Sequence, residues 1–490
     1  MNISKYCKIY PSGKNLHNVI LYSTKNAAMA GMPKAMAEAL PYAEMSGEDR
    51  KTLRKLGFLV NDPEKERKEM LGYIDELNGL DNSLNIKLVM NLDCNLACRY
   101  CFEGVRKGRF YMTKQTADDF VEFVKTIINS QKKAFPPGRS VIPTCSVVAT
   151  LSEDSHRESF LMTACNQEGC RTSRHDKKNR VFKKTAMSAI EEILIIFYGG
   201  EPLMSRDLII YISAKLKSFA KDRGIRFRSY LVTNGTLLTK ETVKMLKPLG
   251  LKEAYITIDG PKDIHDSFRP YKTAKGSFET IIRNVKDICN MIDVRLGGNF
   301  LRDNFERFPE LLDYLFDNGL KPPVIPAVQF FPVVAESAGF GPPDFNEGCA
   351  SVNEPWLFEA SLFLREEILK RGFRLGRTAP GLCMMEYENS ILVNHDGSIH
   401  KCPGLIGREE FRIGDIWRGT KDYRKSHCLD NWKNDECLDC AYLPLCFGGC
   451  RYMKLMRDGD MNGVDCKRPY FDAALETLID QDIRYGLIAG

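Results

Sequence analysis

Six short apolar runs alternate with amphipathic helical stretches between about residues 84 and 372, and this alternation constrains the fold more than any other feature. The runs have the length of buried strands, and they lie at residues 86–91, 194–198, 228–233, 254–258, 294–299 and 327–332. Helical patterns lie between them at residues 205–222, 240–246, 277–292 and 304–318. Repeated βα units predict an α/β fold with a parallel sheet, here a partial, TIM-like (β/α)6 barrel over residues 83–375. Functional residues of such barrels gather where the strands end.

A small module precedes the barrel, at residues 1–82. Residues 6–10 and 19–23 predict strands around a turn, and residues 33–39 and 47–56 predict helices. Residues 58–60 predict a short wing-like strand, and the charged residues 62–78 predict a linking helix. This order predicts a winged-helix-like fold.

A polar stretch at about residues 134–185 interrupts the alternation and is far longer than an ordinary βα loop. It contains cysteines and histidines that are possible metal ligands, namely Cys145, Cys165, Cys170, His156 and His175. Their spacing does not indicate a particular metal site, so we interpret the stretch as an insertion of unassigned role.

Composition restricts the protein's surroundings. The net charge is +6, but basic and acidic residues are intermixed, which favours a solvated surface over nucleic-acid binding. No apolar run approaches the ~18 residues of a membrane span, and the N-terminus lacks a secretory signal. We therefore expect a cytoplasmic protein without a membrane partner, in which cysteines, 17 in all, serve as metal ligands rather than in disulfides.

Three cysteines follow the first barrel strand in one tight loop, as Cys94-x3-Cys98-x2-Cys101. Three thiolates can hold three irons of a [4Fe–4S] cube and leave the fourth iron open to a small molecule. The alternative is a zinc site that lacks one ligand. Further motifs end the next strands: Gly199-Gly200-Glu201-Pro202, then Thr233-Asn234-Gly235, then Asp259-Gly260. Each motif alone could be an ordinary turn.

Together these motifs resemble those of radical S-adenosylmethionine (SAM) enzymes. The resemblance implies that Cys94, Cys98 and Cys101 bind a [4Fe–4S] cluster whose open iron chelates S-adenosylmethionine, yielding a 5′-deoxyadenosyl radical after one-electron reduction. A low-potential donor such as flavodoxin or ferredoxin would supply the electron. The implied cofactor-binding residues are those of the strand-end motifs: Gly199, Gly200, Glu201, Pro202, Thr233, Asn234 and Asp259.

Seven further cysteines lie in a Gly- and Cys-rich region at residues 376–490, which has little periodic pattern and is expected to need a metal to fold. A zinc ribbon is one interpretation. The order instead resembles the SPASM domain, which binds two auxiliary [4Fe–4S] clusters. The resemblance implies an outer cluster on Cys437, Cys440, Cys446 and Cys466, and an inner cluster on Cys383, Cys402 and Cys450. The enzyme would thus carry three clusters.

The inner set departs from part of that family. Sulfatase-maturing relatives have a cysteine where this chain has Asn389, and an acidic residue where it has Pro403. The inner cluster could therefore have an open iron, unless Cys428 or another residue fills it. An open iron beside the radical site could hold a substrate cysteine thiolate, which is a hypothesis.

Longer stretches resemble the maturases of geopeptides, which are small Cys-rich precursors, at residues 91–98, 353–356, 401–408 and 445–453. The resemblance implies a radical SAM maturase that forms thioether crosslinks in a ribosomally made, Cys-rich precursor peptide. The module at residues 1–82 resembles leader-peptide recognition elements, which bind an extended peptide as an added strand. Alternatively, it only covers one end of the barrel.

Two rival functions remain open. Carbon–carbon crosslinking or oxidation of a peptide or protein side chain would use the same cofactors. A non-enzymatic iron–sulfur or zinc scaffold would explain the C-terminal cysteines but not the strand-end motifs. Cys7, Cys289 and Cys349 are expected to be small buried apolar residues. The sequence indicates neither the general base, the acceptor residue nor the oligomeric state.

Overall fold

The computed structural model describes residues 2–12, 15–40, 42, 46–101, 104–130, 148–150, 190–335, 345 and 347–487. The strands within these ranges are β1 (Asn2–Ile3), β2 (Cys7–Ser12), β3 (Asn15–Ser23), β4 (Met29–Pro33), β5 (Leu59–Val60), β6 (Ser83–Val89), β7 (Val148–Thr150), β8 (Glu192–Tyr198), β9 (Arg226–Thr233), β10 (Leu251–Thr257), β11 (Asp293–Phe300), β12 (Ala327–Pro332), β13 (Ser390–Val393), β14 (Ser398–His400), β15 (Gly414–Asp415) and β16 (Gly419–Thr420). The helices are α1 (Lys34–Ala39), α2 (Gly47–Lys55), α3 (Pro63–Leu71), α4 (Tyr73–Leu80), α5 (Lys114–Ser130), α6 (Arg206–Asp222), α7 (Lys240–Leu246), α8 (Lys262–Phe268), α9 (Phe278–Ile288), α10 (Phe308–Asp317), α11 (Pro355–Lys370), α12 (Asp435–Leu438), α13 (Leu443–Cys446), α14 (Arg451–Asp458) and α15 (Arg468–Arg484).

The central sheet contains the six strands that the apolar runs predict. Their spatial order is β12-β11-β10-β9-β8-β6, and every neighbouring pair among them is parallel. The prediction of an α/β fold with a central parallel sheet is confirmed. The sheet continues beyond β6 through β13, which is also parallel to β6, and then through the antiparallel β14, β15 and β16. The C-terminal region thus extends the sheet beside the strand that leads into the first cysteine loop.

Amphipathic helices cover this sheet, and α9 shows why they form where they do. Its buried side chains recur at three- and four-residue intervals, which places them on one face of the helix: Phe278, Ile281, Ile282, Val285 and Ile288. They join the aliphatic core beneath the sheet. Full burial of one such side chain contributes about 1.5–3 kcal/mol, so the face as a whole fixes the helix on the sheet.

The N-terminal module differs from its prediction in two places. Residues 29–33 form a third strand, β4, which pairs antiparallel with β3, although their sequence has little strand propensity. The predicted linking helix is two helices, α3 and α4, because Gly72 ends the first of them. The short strand β5 pairs with β1. A winged-helix-like fold for this module stays a prediction.

The C-terminal region has more regular structure than its sequence suggests. The 17-residue helix α15 buries Phe471, Leu475 and Ile479 in one apolar cluster with Tyr22 and Met29 of the N-terminal module. This apolar face was missed because glycines and cysteines dominate the preceding pattern. The predicted domain boundaries stay predictions, since β13 joins the sheet of the preceding region.

Most of the predicted insertion at residues 134–185, with Cys145, Cys165, Cys170, His156 and His175, lies outside the described residues. Only β7 is described there, and it pairs in parallel with β4. Cys349 is buried, as expected, whereas Cys7 and Cys289 are only partly buried. Among the helices within the described ranges, none combines the length and the hydropathy that crossing a membrane requires.

Candidate functional site

The first cysteine loop begins just beyond β6 and packs against the loop that follows β8. The Cys94 amide donates to Asp93 Oδ1 at 2.9 Å, which starts the turn. A Cβ atom added to Gly199 would lie 2.3 Å from the Asn91 carbonyl oxygen, and one added to Gly200 would lie 2.2 Å from that of Asp93. The two glycines are therefore required for the close approach of the two loops.

Glu201 is fully buried behind these glycines, and its carboxylate ties the ends of β8 and β9 together. It accepts hydrogen bonds from Thr233 Oγ1 at 2.8 Å, from the Asn234 amide at 2.8 Å and from the Leu203 amide at 3.1 Å. Burial raises the pKa of Glu201, and these hydrogen bonds oppose that rise. The Glu201 carboxylate therefore stabilises the arrangement of these strand ends. The predicted contact of Glu201 with the cofactor stays a prediction.

Asn234 connects the end of β9 to the cysteine loop. Its side-chain amide donates to Cys94 Sγ at 3.6 Å and to Asn95 Oδ1 at 2.8 Å, while its own oxygen accepts from the Thr236 amide at 2.9 Å. The structure thus brings the motifs after β6, β8 and β9 into one connected site, as the sequence predicts for strand ends.

A buried polar network joins the cysteine loop to the ends of β10 and β11. Tyr100, between Cys98 and Cys101, donates its hydroxyl to Asp259, and Arg269 donates to that hydroxyl at 2.7 Å. The Asn299 amide donates to Asp259 Oδ1 at 2.8 Å. The sequence analysis did not predict Tyr100, Arg269 or Asn299. The position of Tyr100 within the cysteine motif could have indicated that residue, whereas Arg269 and Asn299 had no comparable sequence signal.

Two cations lie close to the first three cysteines. Burial alone would lower the pKa of Lys107, but the sulfurs of Cys101, Cys98 and Cys94 outweigh burial and raise it. The pKa of Arg269 is likewise raised against its burial, by Cys98 first and then by Tyr100 and Asp259. Both positive charges partly offset the negative charge of the three thiolates. Such an environment suits a loop that holds an anionic iron–sulfur group.

The three predicted inner-cluster cysteines, Cys383, Cys402 and Cys450, come together beside β6. Burial, followed by the Cys383 and Cys450 sulfurs, raises the pKa of Cys402 to about 12. Lys87 on β6 lies near Cys402 and Cys383, and its ammonium group approaches Met384 Sδ at 3.6 Å. The inner set is therefore adjacent to the same strand that carries the first cysteine loop.

Charged groups surround the inner set. The Lys401 ammonium group is buried and donates to the Tyr387 carbonyl at 2.6 Å, and burial lowers its pKa to about 8. Arg451, next to Cys450 in the chain, forms a buried ion pair with Glu386. These groups carried no recognisable sequence pattern and were not predicted.

The four predicted outer-cluster cysteines, Cys437, Cys440, Cys446 and Cys466, line one pocket together with Arg468. The Cys440 sulfur accepts a hydrogen bond from Arg468, which raises the pKa of that guanidinium group. Burial raises the pKa of Cys446 to about 12. The structure thus brings the outer set together in one place.

Cys428, a candidate for the fourth position of the inner set, packs against the same apolar cluster as Cys383 and Cys402. The buried Asn389 donates its side-chain Nδ2 to the Asp81 carbonyl at 3.0 Å, so this side chain is bonded to the backbone. Cys428 Sγ contacts the Lys425 carbonyl at 3.8 Å and Asn462 Oδ1 at 3.7 Å. The hypothesis of an open inner iron stays a prediction.

The chemistry of the donor sets fits iron–sulfur cubes. Across the described part of the chain, no group of three or more His, Cys, Asp or Glu side chains is arranged to hold one metal ion. Cysteine thiolates are the usual ligands of iron–sulfur cubes, in which each cysteine binds a different iron. All-thiolate sets of three, three and four cysteines match that chemistry.

Comparison with known proteins gives a family match for part of the chain. Residues 166–315 match the family model of the Radical SAM superfamily, a range that starts after the first cysteine loop and spans β8 to β11. This part of the chain is therefore similar to a radical SAM domain.

The proteins to which this chain is similar have diverse names. Fe-coproporphyrin III synthase of Methanosarcina barkeri is 30% identical over 37% of this chain, but the match spans only 40% of that protein. The cysteine-type anaerobic sulfatase-maturating enzyme of Clostridium novyi is 24% identical over 60% of this chain and 83% of its own length. Native anSMEcpe with bound AdoMet and Kp18Cys peptide has the same fold, with a TM-score of 0.55 and 17% identity over 83% of this chain and 99% of that chain.

Proposed function

We propose that this chain is a radical SAM maturase that installs thioether crosslinks in a Cys-rich, ribosomally made precursor peptide. The observation that carries the proposal is the position of two cysteine sets along one strand. Cys94, Cys98 and Cys101 follow the end of β6, while β13 brings Cys383, Cys402 and Cys450 to the side of that strand. A peptide that reached from the carboxyl end of β6 back along this strand towards Lys87 would therefore lie near both sets.

The residues of the first site have distinct proposed roles. With the cluster and S-adenosylmethionine bound, the site supplies a 5′-deoxyadenosyl radical that removes a hydrogen atom from the peptide. Gly199 and Gly200 allow the two loops to approach, and Glu201 fixes the ends of β8 and β9. Asn234 positions Cys94, while Tyr100 and Asp259 hold the rest of the loop.

The inner and outer cysteine sets are proposed to hold auxiliary clusters, which a radical SAM enzyme with one cluster lacks. Thioether formation leaves one electron in excess after hydrogen removal, and an auxiliary cluster is a suitable acceptor for it. An open coordination position in the inner set would hold the substrate's thiolate sulfur. The name of the Clostridium novyi relative, a sulfatase-maturating enzyme, supports a polypeptide substrate for this chain as well.

The N-terminal module is proposed to bind the precursor's leader. It is firmly attached beside the outer cysteine set, since Thr24 Oγ1 donates to the Ala441 carbonyl at 2.6 Å and the buried Tyr6 hydroxyl donates to that of Leu438 at 3.2 Å. A leader that adds to this module would be held at a fixed position relative to the cysteine sets.

Anaerobic incubation with dithionite, S-adenosylmethionine and the precursor encoded beside this gene tests the proposal. We expect 5′-deoxyadenosine and a loss of two hydrogens from the precursor for each crosslink, measured by mass spectrometry. Replacing Cys94, Cys98 and Cys101 by alanine should abolish both products. Replacing Cys289, which lies outside all three cysteine sets, by alanine is the matched control and should change neither.

The alternative reactions give different outcomes in the same experiment. If precursor variants without cysteine still lose two hydrogens, the product is a carbon–carbon crosslink or an oxidised side chain. If no 5′-deoxyadenosine forms, the chain is a non-enzymatic iron–sulfur or zinc scaffold. A cytoplasmic location stays an expectation from the sequence alone.

A further inference from the structure

We propose that Lys87 makes the inner cysteine set a better electron acceptor, by placing a positive charge beside the cluster that this set would hold. Lys87 lies on β6, the strand that leads into the first cysteine loop. The inference rests on the proposed function, in which an auxiliary cluster accepts the electron left over from crosslinking. It names a positioning residue that would adapt one of the two auxiliary sets to that task.

The alternation of side chains along β6 directs Lys87 towards the inner set. Ile86 and Leu88, on either side of it, are fully buried in the aliphatic core beneath the sheet. Successive side chains of a strand point to opposite faces, so Lys87 points away from that core. Its ammonium group lies 3.6 Å from Sδ of Met384, the residue that follows Cys383 in the chain.

The Lys87 ammonium group has only a weak partner within the described part of the chain. Its hydrogen-bond acceptor there is Met384 Sδ, and a thioether sulfur is a weak acceptor. Burial lowers the pKa of Lys87, and the charges that oppose this effect are the sulfurs of Cys402 and then Cys383. A cation that is shielded from water favours a nearby anion. The cysteine sulfurs of the inner set are the anionic groups on this side of Lys87.

Two further cations lie beside the inner set, and both already have partners. Arg451 forms a buried ion pair with Glu386. The Lys401 ammonium group donates to two backbone carbonyls and lies near the Glu388 and Glu386 carboxylates. Of the three cations, Lys87 therefore has the charge that the protein offsets least.

A nearby positive charge stabilises the reduced form of an iron–sulfur cluster, because that form is the more negative one. Net charge and exposure to solvent are among the factors that set the reduction potential of such clusters. In the proposed crosslinking step the thiol proton is released to water, and the carbon radical and the cysteine sulfur form one C–S bond. The surplus electron then reduces the inner cluster by one electron. A higher potential of this cluster favours that transfer.

The outer set offers a comparison within the same chain. Arg468 donates a hydrogen bond to the Cys440 sulfur, and its side chain is exposed. Lys87, by contrast, is partly buried beside the inner set. Each cation is thus assigned to one auxiliary set, so replacing Arg468 tests whether an effect is confined to one cluster.

The experiment is a potentiometric titration of the anaerobically reconstituted full chain, followed by electron paramagnetic resonance. Alanine at Cys94, Cys98 and Cys101 removes the signal of the first set, so that only the two auxiliary clusters respond. Further alanines at Cys383 and Cys402 identify the reduction step of the inner cluster, which is the step that they remove.

The variants are compared in the background that lacks the first cluster. Lys87→Met removes the charge but keeps a side chain of similar length, whereas Lys87→Arg keeps the charge. Lys252→Met is the matched control, because Lys252 is an exposed lysine near the start of β10, three strands away from β6 in the sheet. Arg468→Met is the comparison at the outer set. Lys87→Gln is a second neutral variant and takes the place of Lys87→Met if that protein does not fold.

We expect Lys87→Met to lower the ratio of reduced to oxidised inner cluster at a fixed potential about tenfold, which is about 59 mV for one electron. Lys87→Arg should keep this ratio within about twofold of the background. Arg468→Met should shift the other step only, and Lys252→Met should shift neither. An unchanged inner step in Lys87→Met, or an equal shift in Lys87→Arg or Lys252→Met, would overturn the proposal.

The consequence for the reaction is measured with the first set intact. Lys87→Met should form fewer crosslinks for each 5′-deoxyadenosine than the wild type, because its inner cluster accepts the electron less readily. An equal ratio in the two proteins would refute a role of Lys87 in the reaction. Failure of the proposed function would be distinct, since a wild type that forms no thioether would leave the shift of the inner potential measurable.

Discussion

The carboxyl edge of the parallel sheet and the C-terminal cysteine region both collect cysteines, but different forces hold them in place. At the sheet edge, an extensive aliphatic core fixes the strands, and hydrogen bonds through Glu201, Asn234 and Asp259 arrange the loops. In the C-terminal region, small apolar clusters such as that of Trp432, Leu443 and Phe447 surround the outer set. We infer that the first site is preorganised by the protein, whereas the second would depend on the proposed outer cluster.

The largest expected effect comes from removing three of the four proposed outer ligands. Replacing Cys437, Cys440 and Cys446 by alanine should unfold much of the region around the pocket, because binding of a structural metal centre can contribute on the order of 10 kcal/mol to a small domain. Limited proteolysis of anaerobic protein should show new cleavage within residues 420–487.

The matched change at the sheet edge sharpens the contrast. Alanine at Cys94, Cys98 and Cys101 should remove activity but leave the protease resistance of the sheet unchanged, since its core is independent of that loop. Similar cleavage in both triple variants would contradict the proposed difference between the two regions.

The buried ion pair beside the inner set should give the next largest effect. Arg451→Met leaves the Glu386 carboxylate buried without its cation, where both side chains are at most 5% exposed. Breaking such a pair costs about 3–5 kcal/mol, which chemical denaturation of the anaerobic protein can measure. The double variant Arg451→Met/Glu386→Gln should recover much of that loss, because no charge is then left unpaired.

The same contrast explains which features the sequence could predict. Strand periodicity and motif order predicted the six parallel strands and the meeting of Cys94, Glu201 and Asn234, because both follow from local pattern and chain order. The contact of Tyr100 with Arg269 was not predictable, since it joins residues 169 positions apart without a local pattern. The pairing of β13 with β6 was not predictable for the same reason, because it joins strands that are far apart in the chain.

Acid should loosen the sheet-edge network through His265. Its Nδ1 accepts from the Asp259 amide at 3.1 Å, and its Nε2 lies 3.0 Å from Ser277 Oγ. Burial, followed by the Arg269 charge, lowers the pKa of His265 to about 3. The unfolded chain therefore binds more protons below pH ~6.5, and this stabilising contribution is lost as the pH falls from there towards 3.

At pH 5 the titration of His265 is expected to lower the free energy of unfolding by about 2 kcal/mol relative to pH 7. Hydrogen exchange of residues 258–278, compared at pH 7 and pH 5 after correction for intrinsic rates, measures it. His265→Gln, which cannot take up a proton, is the control and should show a smaller difference between the two pH values. Equal differences in both proteins would show that another group controls this segment.

The smallest effects test how the N-terminal module is attached to the C-terminal region. The Tyr6 hydroxyl is buried and donates to the Leu438 carbonyl at 3.2 Å, so Tyr6→Phe should destabilise the protein by about 1 kcal/mol. At the same interface Arg67 pairs with Asp435, whose side chain is 93% exposed. Asp435→Asn should shift the melting temperature by less than about 1 °C, because water screens an exposed ion pair. Both variants are compared by melting temperature. A larger decrease for Asp435→Asn than for Tyr6→Phe would show that surface charge, rather than burial, holds the module in place.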